Sequence, residues 1–245
     1  MPPMGSRCNH MSKAPVVMLH DGIHVVRDDL YPGGTKARYL GRLFDTSDEV
    51  VYASPPQGGA QTALAYVAAD LGKRATIFIA KRAIPHPRSL MAKRLGAKVL
   101  QVRPGYLNVV QARARAYCVA TGAALAPFGM NVPGAAEAIA EAGRSTGLIP
   151  DEVWCASGSG VLARGLALAF PMAARHSVEV GRTLAPTDVA GARIHHYHKP
   201  FDAEALHRPP FPSDLHYDAK AWEVCKARHG RGIILMWNVT GQPQG

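Results

Sequence analysis

The sequence predicts an α/β fold of parallel strands divided into two domains. Three observations carry that reading. From Glu49 onward short apolar runs alternate with helix-spaced segments, glycine-bearing loops stand where a strand passes into a helix, and one central stretch holds the excess positive charge. Strands that alternate with helices pair in parallel through right-handed crossovers, which gathers ligand sites at the carboxyl ends of the strands.

Residues 49–54 (EVVYAS) read as a strand, 55–59 as a Pro/Gly loop and 60–71 as an alanine-rich helix. The unit repeats with strands at 75–80 and 98–102, helices at 87–95 and 107–120, and a further strand at 123–127. A second series follows: helix 133–143, strand 152–156, helix 161–170, strands 177–180 and 192–197, a proline-rich loop at 199–213, helix 219–228 and a buried strand at 232–237. Residues 46–125 are expected to form the smaller domain, with 1–45 and 126–245 forming the larger.

The chain has 245 residues, 47% apolar and 19% charged, and no apolar run of the roughly 18 residues that a membrane span needs. Fibrous, disordered and membrane-spanning classes are excluded. Cys8, Cys118, Cys155 and Cys225 show no C-x-x-C spacing, and the N-terminal residues lack the apolar core of a secretory signal, so a cytoplasmic protein is expected. Basic residues exceed acidic ones, 28 − 18 = +10. Between residues 71 and 136 there is no Asp or Glu, while Lys73, Arg74, Lys81, Arg82, Arg88, Lys93, Arg94, Lys98, Arg103, Arg113 and Arg115 are all cationic. Such a segment either attracts a polyanion, nucleic acid above all, or is a solvated surface.

Three loops can carry chemistry. In Arg27–Leu40 (RDDLYPGGTKARYL) glycines flank Lys36, which is either a surface lysine in a turn or an amine that a ligand can approach closely. Ser157-Gly158-Ser159-Gly160 joins a strand to a helix, as an ordinary tight turn or as a cradle whose amides and helix dipole hold a phosphate. It is neither a dinucleotide fingerprint nor a Walker A loop. Ser54-Pro55-Pro56-Gln57-Gly58-Gly59-Ala60-Gln61 is a second loop able to present amides to an anion. A lysine, a phosphate cradle and a second anion loop together suggest pyridoxal 5′-phosphate bound to a lysine as an imine.

The lysine segment resembles that of fold type II pyridoxal-phosphate enzymes, the aminocyclopropane-carboxylate deaminase and D-cysteine desulfhydrase branch in particular. QGGAQTALAYVAADLG at 57–72, KRLGAKV at 93–99, SGSG at 157–160 and Thr240-Gly241 are similar to that branch's pieces in the same order. The resemblance implies a two-domain, three-layer parallel-sheet fold of the tryptophan-synthase-β type and a homodimer. It implies that Lys36 is the catalytic lysine, that Ser157, Gly158, Ser159, Gly160 and Gly59 bind the cofactor with it, that Thr240 faces the ring nitrogen, and that Ser54, Gln57, Gly58 and Gln61 meet the substrate. Gly58 and Gly59 stand where the branch has a serine and an asparagine, so ring-opening deamination is not expected.

Glycines in place of carboxylate-binding side chains, a chain shorter than the branch's members and a basic small domain point to a large anionic substrate. An amino acid carried on a base of phage DNA fits, with Lys73, Arg74, Lys81, Arg82, Arg88, Lys93 and Arg94 on the phosphates and loss of CO₂ as the reaction. The alternatives are a deaminase, desulfhydrase or dehydratase of small amino acids, and a non-catalytic nucleic-acid-binding protein. No metal site is expected: His195, His196 and His198 lack a completing ligand, although His195 or His198 could touch phosphate or substrate. Tyr217-Asp218 reads as a helix start with Asp as cap, Cys155 as packing, and Tyr31, Tyr106 and Trp237 as core or site aromatics.

Overall fold

The computed structural model describes residues 13–103 and 105–242, so Cys8 and the residues before Lys13 lie outside it. It opens on a hairpin that the strand pattern above omits. Strands β1 (Val17–His20) and β2 (Ile23–Arg27) pair antiparallel around Asp21-Gly22, both at positive φ, 49° and 81°. That is the conformation of a tight two-residue hairpin turn, and Asp-Gly between alternating apolar residues is its sequence signal. The large sheet is therefore mixed rather than wholly parallel.

The next elements are α1 (Ala37–Leu40), β3 (Glu49–Ala53), α2 (Ala60–Asp70), β4 (Arg74–Ala80), α3 (Pro87–Arg94), β5 (Lys98–Val102), α4 (Leu107–Thr121) and β6 (Ala124–Leu125). Then come α5 (Ala135–Arg144), β7 (Glu152–Ser157), α6 (Val161–Ala169), β8 (Ala174–Glu179), β9 (Arg193–His196), α7 (Asp218–Arg228) and β10 (Ile234–Asn238). β6 is shorter than expected. Its ladder closes when Ala126 donates to Val51, and Pro127 has no N–H to continue it.

Four strands, in the order β5-β4-β3-β6, form one parallel sheet from residues 49–125; six, in the order β1-β2-β10-β7-β8-β9, form the other. Alternation along the strands sets the layers. Val153, Cys155, Leu235 and Trp237 face a core with α5 and α6, while Trp154, Ala156, Ile234 and Met236 face α7 through Trp222 and Cys225. In the small sheet Val51, Phe78 and Val102 meet Val110 and Ala114 of α4. Its other face, with Val50, Tyr52 and Ile77, joins the α5–α6 core, so apolar packing runs from sheet to sheet. Among the described residues no helix is long and apolar enough to cross a membrane.

The histidine run is placed by this layering. His195 is buried with its Nε2 2.9 Å from His176 Nδ1, and Trp154 stacks on the His176 ring at 4.0 Å. It packs on the α7 face beside Arg228 and is not among the residues lining the cavity described below. Burial, with His176 and Arg228 nearby, pushes the His195 pKa down to about 4. The fold thus holds this imidazole neutral, and its stabilising contribution is complete above the ordinary value of 6.5 and is lost as pH falls toward 4. A melting temperature that drops from pH 7 to pH 5, with a smaller drop in His195→Phe, is the expected result.

Candidate active site

The lysine loop is tied to the end of β10. Gly34 has φ +70°, and a Cβ there would lie 2.5 Å from the Val239 carbonyl oxygen, to which the Thr35 N–H donates at 3.1 Å. Only a residue without a side chain allows that approach. Beneath the loop lies Asp28, fully buried. Its Oδ2 accepts from Thr35 Oγ1 (2.8 Å), Arg38 Nε (2.9 Å) and Trp237 Nε1 (3.1 Å), and its Oδ1 from Arg38 Nη2 (2.6 Å). Trp237, left open by the sequence, is thus a core residue that braces the residue before Lys36. Lys36 opens α1 as its N-cap residue. Burial holds its amine below the ordinary lysine range; Asp218 opposes that shift, Arg88 adds to it and Asp214 opposes it. A buried, readily deprotonated amine is the state in which lysine is a nucleophile.

Lys36 lines one cavity with Tyr39, Ser157, Ser159, Gly160 and Tyr217. The 157–160 loop leads into α6, and Gly160, at φ +77°, packs so closely that a Cβ would lie 2.0 Å from the Asp188 carbonyl oxygen. Arg164 fixes both sides by donating to the Ser159 and Asp188 carbonyls, at 3.3 and 2.8 Å. Among the described residues the N–H groups of Ser159, Gly160 and Val161 have no partner, while Gly158 N–H donates to Tyr217 Oη at 2.9 Å. Three free amides at a helix N-terminus, facing a cavity that holds a lysine, fit a phosphate. Gly160→Ala should cost about 1–3 kcal/mol and abolish cofactor retention, read by denaturation and absorbance. Gly158→Ala, whose Cβ would meet only Tyr217 and Val180 atoms at 3.5 Å, should be tolerated.

Asp218 corrects the capping expectation. It makes no side-chain cap at α7; its Oδ2 instead accepts from the Val239 N–H at 3.1 Å, beside Thr240, and its Oδ1 is buried without a partner. Burial and Asp214 raise its pKa well above the carboxylate range, and Lys36 pulls it back. Neither Asp218 nor Tyr217 could be placed from sequence, because the chain before them is an irregular loop. Cys155 is inert, its thiol pushed up to about 12 by burial.

In the loop after β3, Ser54 Oγ donates to Pro55 O (2.8 Å) and Gln61 Nε2 to Pro56 O (2.7 Å), so both side chains brace the loop itself; Gln57 and Gly58 are half-buried. A Cβ at Gly59 would lie 3.7 Å from Thr240 Cγ2 and 3.4 Å from Arg88 Nη1. Arg88 therefore departs from the nucleic-acid set. It is 3% exposed and ion-paired to Asp214 across the two sheets. Lys73 pairs with Asp48 and Arg74 with Glu49, whereas Lys81, Arg82, Lys93 and Arg94 are exposed. Among the described residues no group of three or more His, Cys, Asp or Glu is placed to hold a metal.

Over residues 20–230 the chain matches the family described as pyridoxal-phosphate dependent enzyme, and it belongs to that family. No curated protein matches it in sequence. Its fold is similar to that of an ACC deaminase homologue (TM-score 0.78, 17% identity, 90% of this chain and 85% of that one). It is also similar to Escherichia coli diaminopropionate ammonia lyase (0.66, 14%, 97% and 85%) and to a hydrogen sulfide-producing enzyme from Fusobacterium nucleatum (0.67, 10%, 93% and 95%). The fold is pyridoxal-phosphate fold type II, and the cofactor of the family is pyridoxal 5′-phosphate.

Proposed function

We propose that the chain is a pyridoxal-phosphate-dependent lyase that breaks a bond at the α-carbon of an amino-acid-type substrate. The observation that carries this is the buried Lys36 amine on one cavity with the free amides of residues 159–161. When bound, the cofactor supplies an aldehyde for Lys36 and a ring that takes up charge from the α-carbon. Ser159, Gly160 and Val161 would hold its phosphate through their N–H groups. Asp218 Oδ1 and Thr240 would be the groups available to the ring nitrogen. Lys36 would be the group placed to move the proton at the α-carbon. The names of the similar structures, a deaminase homologue, an ammonia lyase and a hydrogen sulfide-producing enzyme, support lysis as the reaction class.

A second reading, decarboxylation of an amino acid carried on a DNA base, is favoured by one observation. Arg74, Lys81, Arg82, Lys93, Arg94, Lys98, Arg103, Arg113 and Arg115 are exposed, and Lys81 N–H donates to the carbonyl of Val102, which sets Lys81 beside Arg103 at the carboxyl edge of the small sheet. Incubation with amino-acid-modified DNA and with free amino acids, followed by mass analysis, separates the readings. A nucleoside lighter by CO₂ supports the second, ammonia and a keto acid from free amino acids support the small-substrate lyase, and a colourless protein that retains DNA supports a binding protein. The homodimer expected from the branch is tested by sedimentation.

A further inference from the structure

Arg88 is the feature that neither the family match nor the basic segment accounts for. It sits in the first turn of α3, yet its guanidinium is buried at the seam between the sheets. Nη2 donates to Asp214 Oδ2 and, at 3.2 Å, to the Gly241 carbonyl. Asp214 is fixed in turn, its Oδ1 accepting from the His216 N–H at 2.9 Å and its own N–H donating to Thr240 O at 3.1 Å. Nη2 is thus anchored to the large sheet's loop. Among the described residues Nη1 makes no hydrogen bond, and it lies over Gly59. Neighbouring hydroxyls are also left over: Ser89 Oγ and Ser213 Oγ are buried without partners. Buried polar groups without partners mark a place that a polar ligand completes.

The loop facing Nη1 has glycines at 58 and 59, so at those two positions it brings no side chain to an anion. A charged guanidinium N–H is a strong donor to a carboxylate oxygen. We propose that Arg88 is a specificity-determining residue that takes the carboxylate of the amino-acid substrate on its free Nη1, while Asp214 holds the guanidinium in place. Arg88 thereby supplies from α3 the recognition that the loop lacks. This rests on the proposed function, because it presumes a substrate amine that reaches the Lys36-bound cofactor.

Two reagents test it without knowledge of the natural substrate. Aminooxyacetate and O-methylhydroxylamine both attack a lysine-bound pyridoxal phosphate, and only the first carries a carboxylate. The ratio of their second-order rates, followed through loss of the yellow absorbance, reports carboxylate recognition and cancels changes in the reactivity of the imine. The wild-type protein is expected to favour aminooxyacetate, and Arg88→Gln to lower that ratio by about ten- to hundredfold. Arg88→Lys should keep part of the preference. The double variant Arg88→Gln/Asp214→Asn, which leaves no unpaired buried charge, should lose it as the single variant does. A wild-type ratio near one, or an unchanged ratio in either glutamine variant with its absorbance intact, overturns the assignment. A wild-type protein that never turns yellow overturns the proposed function itself, and that is read before either reagent is added.

Discussion

Lys36→Ala is expected to purify colourless from a preparation in which the wild-type chain is yellow, and to lose turnover by at least about a thousandfold. On the proposed role, two functions leave together, the covalent hold on the cofactor and the proton shuttle at the α-carbon. Stability should move the other way or not at all. Burying an amine costs desolvation free energy, and Lys36 is buried enough to be held below its ordinary range. Without cofactor, the alanine variant should therefore melt at or above the wild-type temperature. Loss of colour together with loss of stability would instead indicate a structural lysine.

The second large effect is expected at Asp28. Arg38 and Asp28 are paired with neither side chain exposed, and two further donors, Thr35 and Trp237, end on the same carboxylate. Asp28→Asn keeps the shape and removes the charge. It leaves a buried guanidinium without its counter-ion and places an amide donor among groups that themselves donate. Breaking a buried pair in this way costs about 3–5 kcal/mol, measurable as a shift in the urea midpoint at constant slope. Because Thr35 is held by the same carboxylate, the lysine loop loosens with it, and cofactor affinity should fall even where the variant folds.

Both predictions concern residues 28–38, and the sequence made only part of that segment legible. Glycines 33 and 34 and the adjoining lysine stand together in the chain, so a local pattern exposes them. So do the serines and glycines at 157–160, because a strand-to-helix joint is a local event. The network around Asp28 is not local: Trp237 reaches it from 209 residues away. Arg88 and Asp214 are 126 residues apart, and within its helix Arg88 looks like any member of a basic surface. Asp218 resembles a cap because aspartate is common at helix starts, whereas the register of β10 turns its carboxylate toward Val239. The initial hairpin was available in the sequence through Asp21-Gly22, and attention to parallel units alone passes over it.

Reduction of the holoprotein with borohydride, followed by proteolysis and mass spectrometry, identifies the lysine that carries the cofactor. Lys220 is the informative comparison, since its side chain is fully buried, with its Nζ donating to the carbonyls of Pro200 and Phe201 at 2.8 and 3.2 Å. The phosphopyridoxyl mass is expected on the peptide containing Lys36 and on no other. That mass on Lys220 or on any other lysine, or on none, would contradict the role given to Lys36.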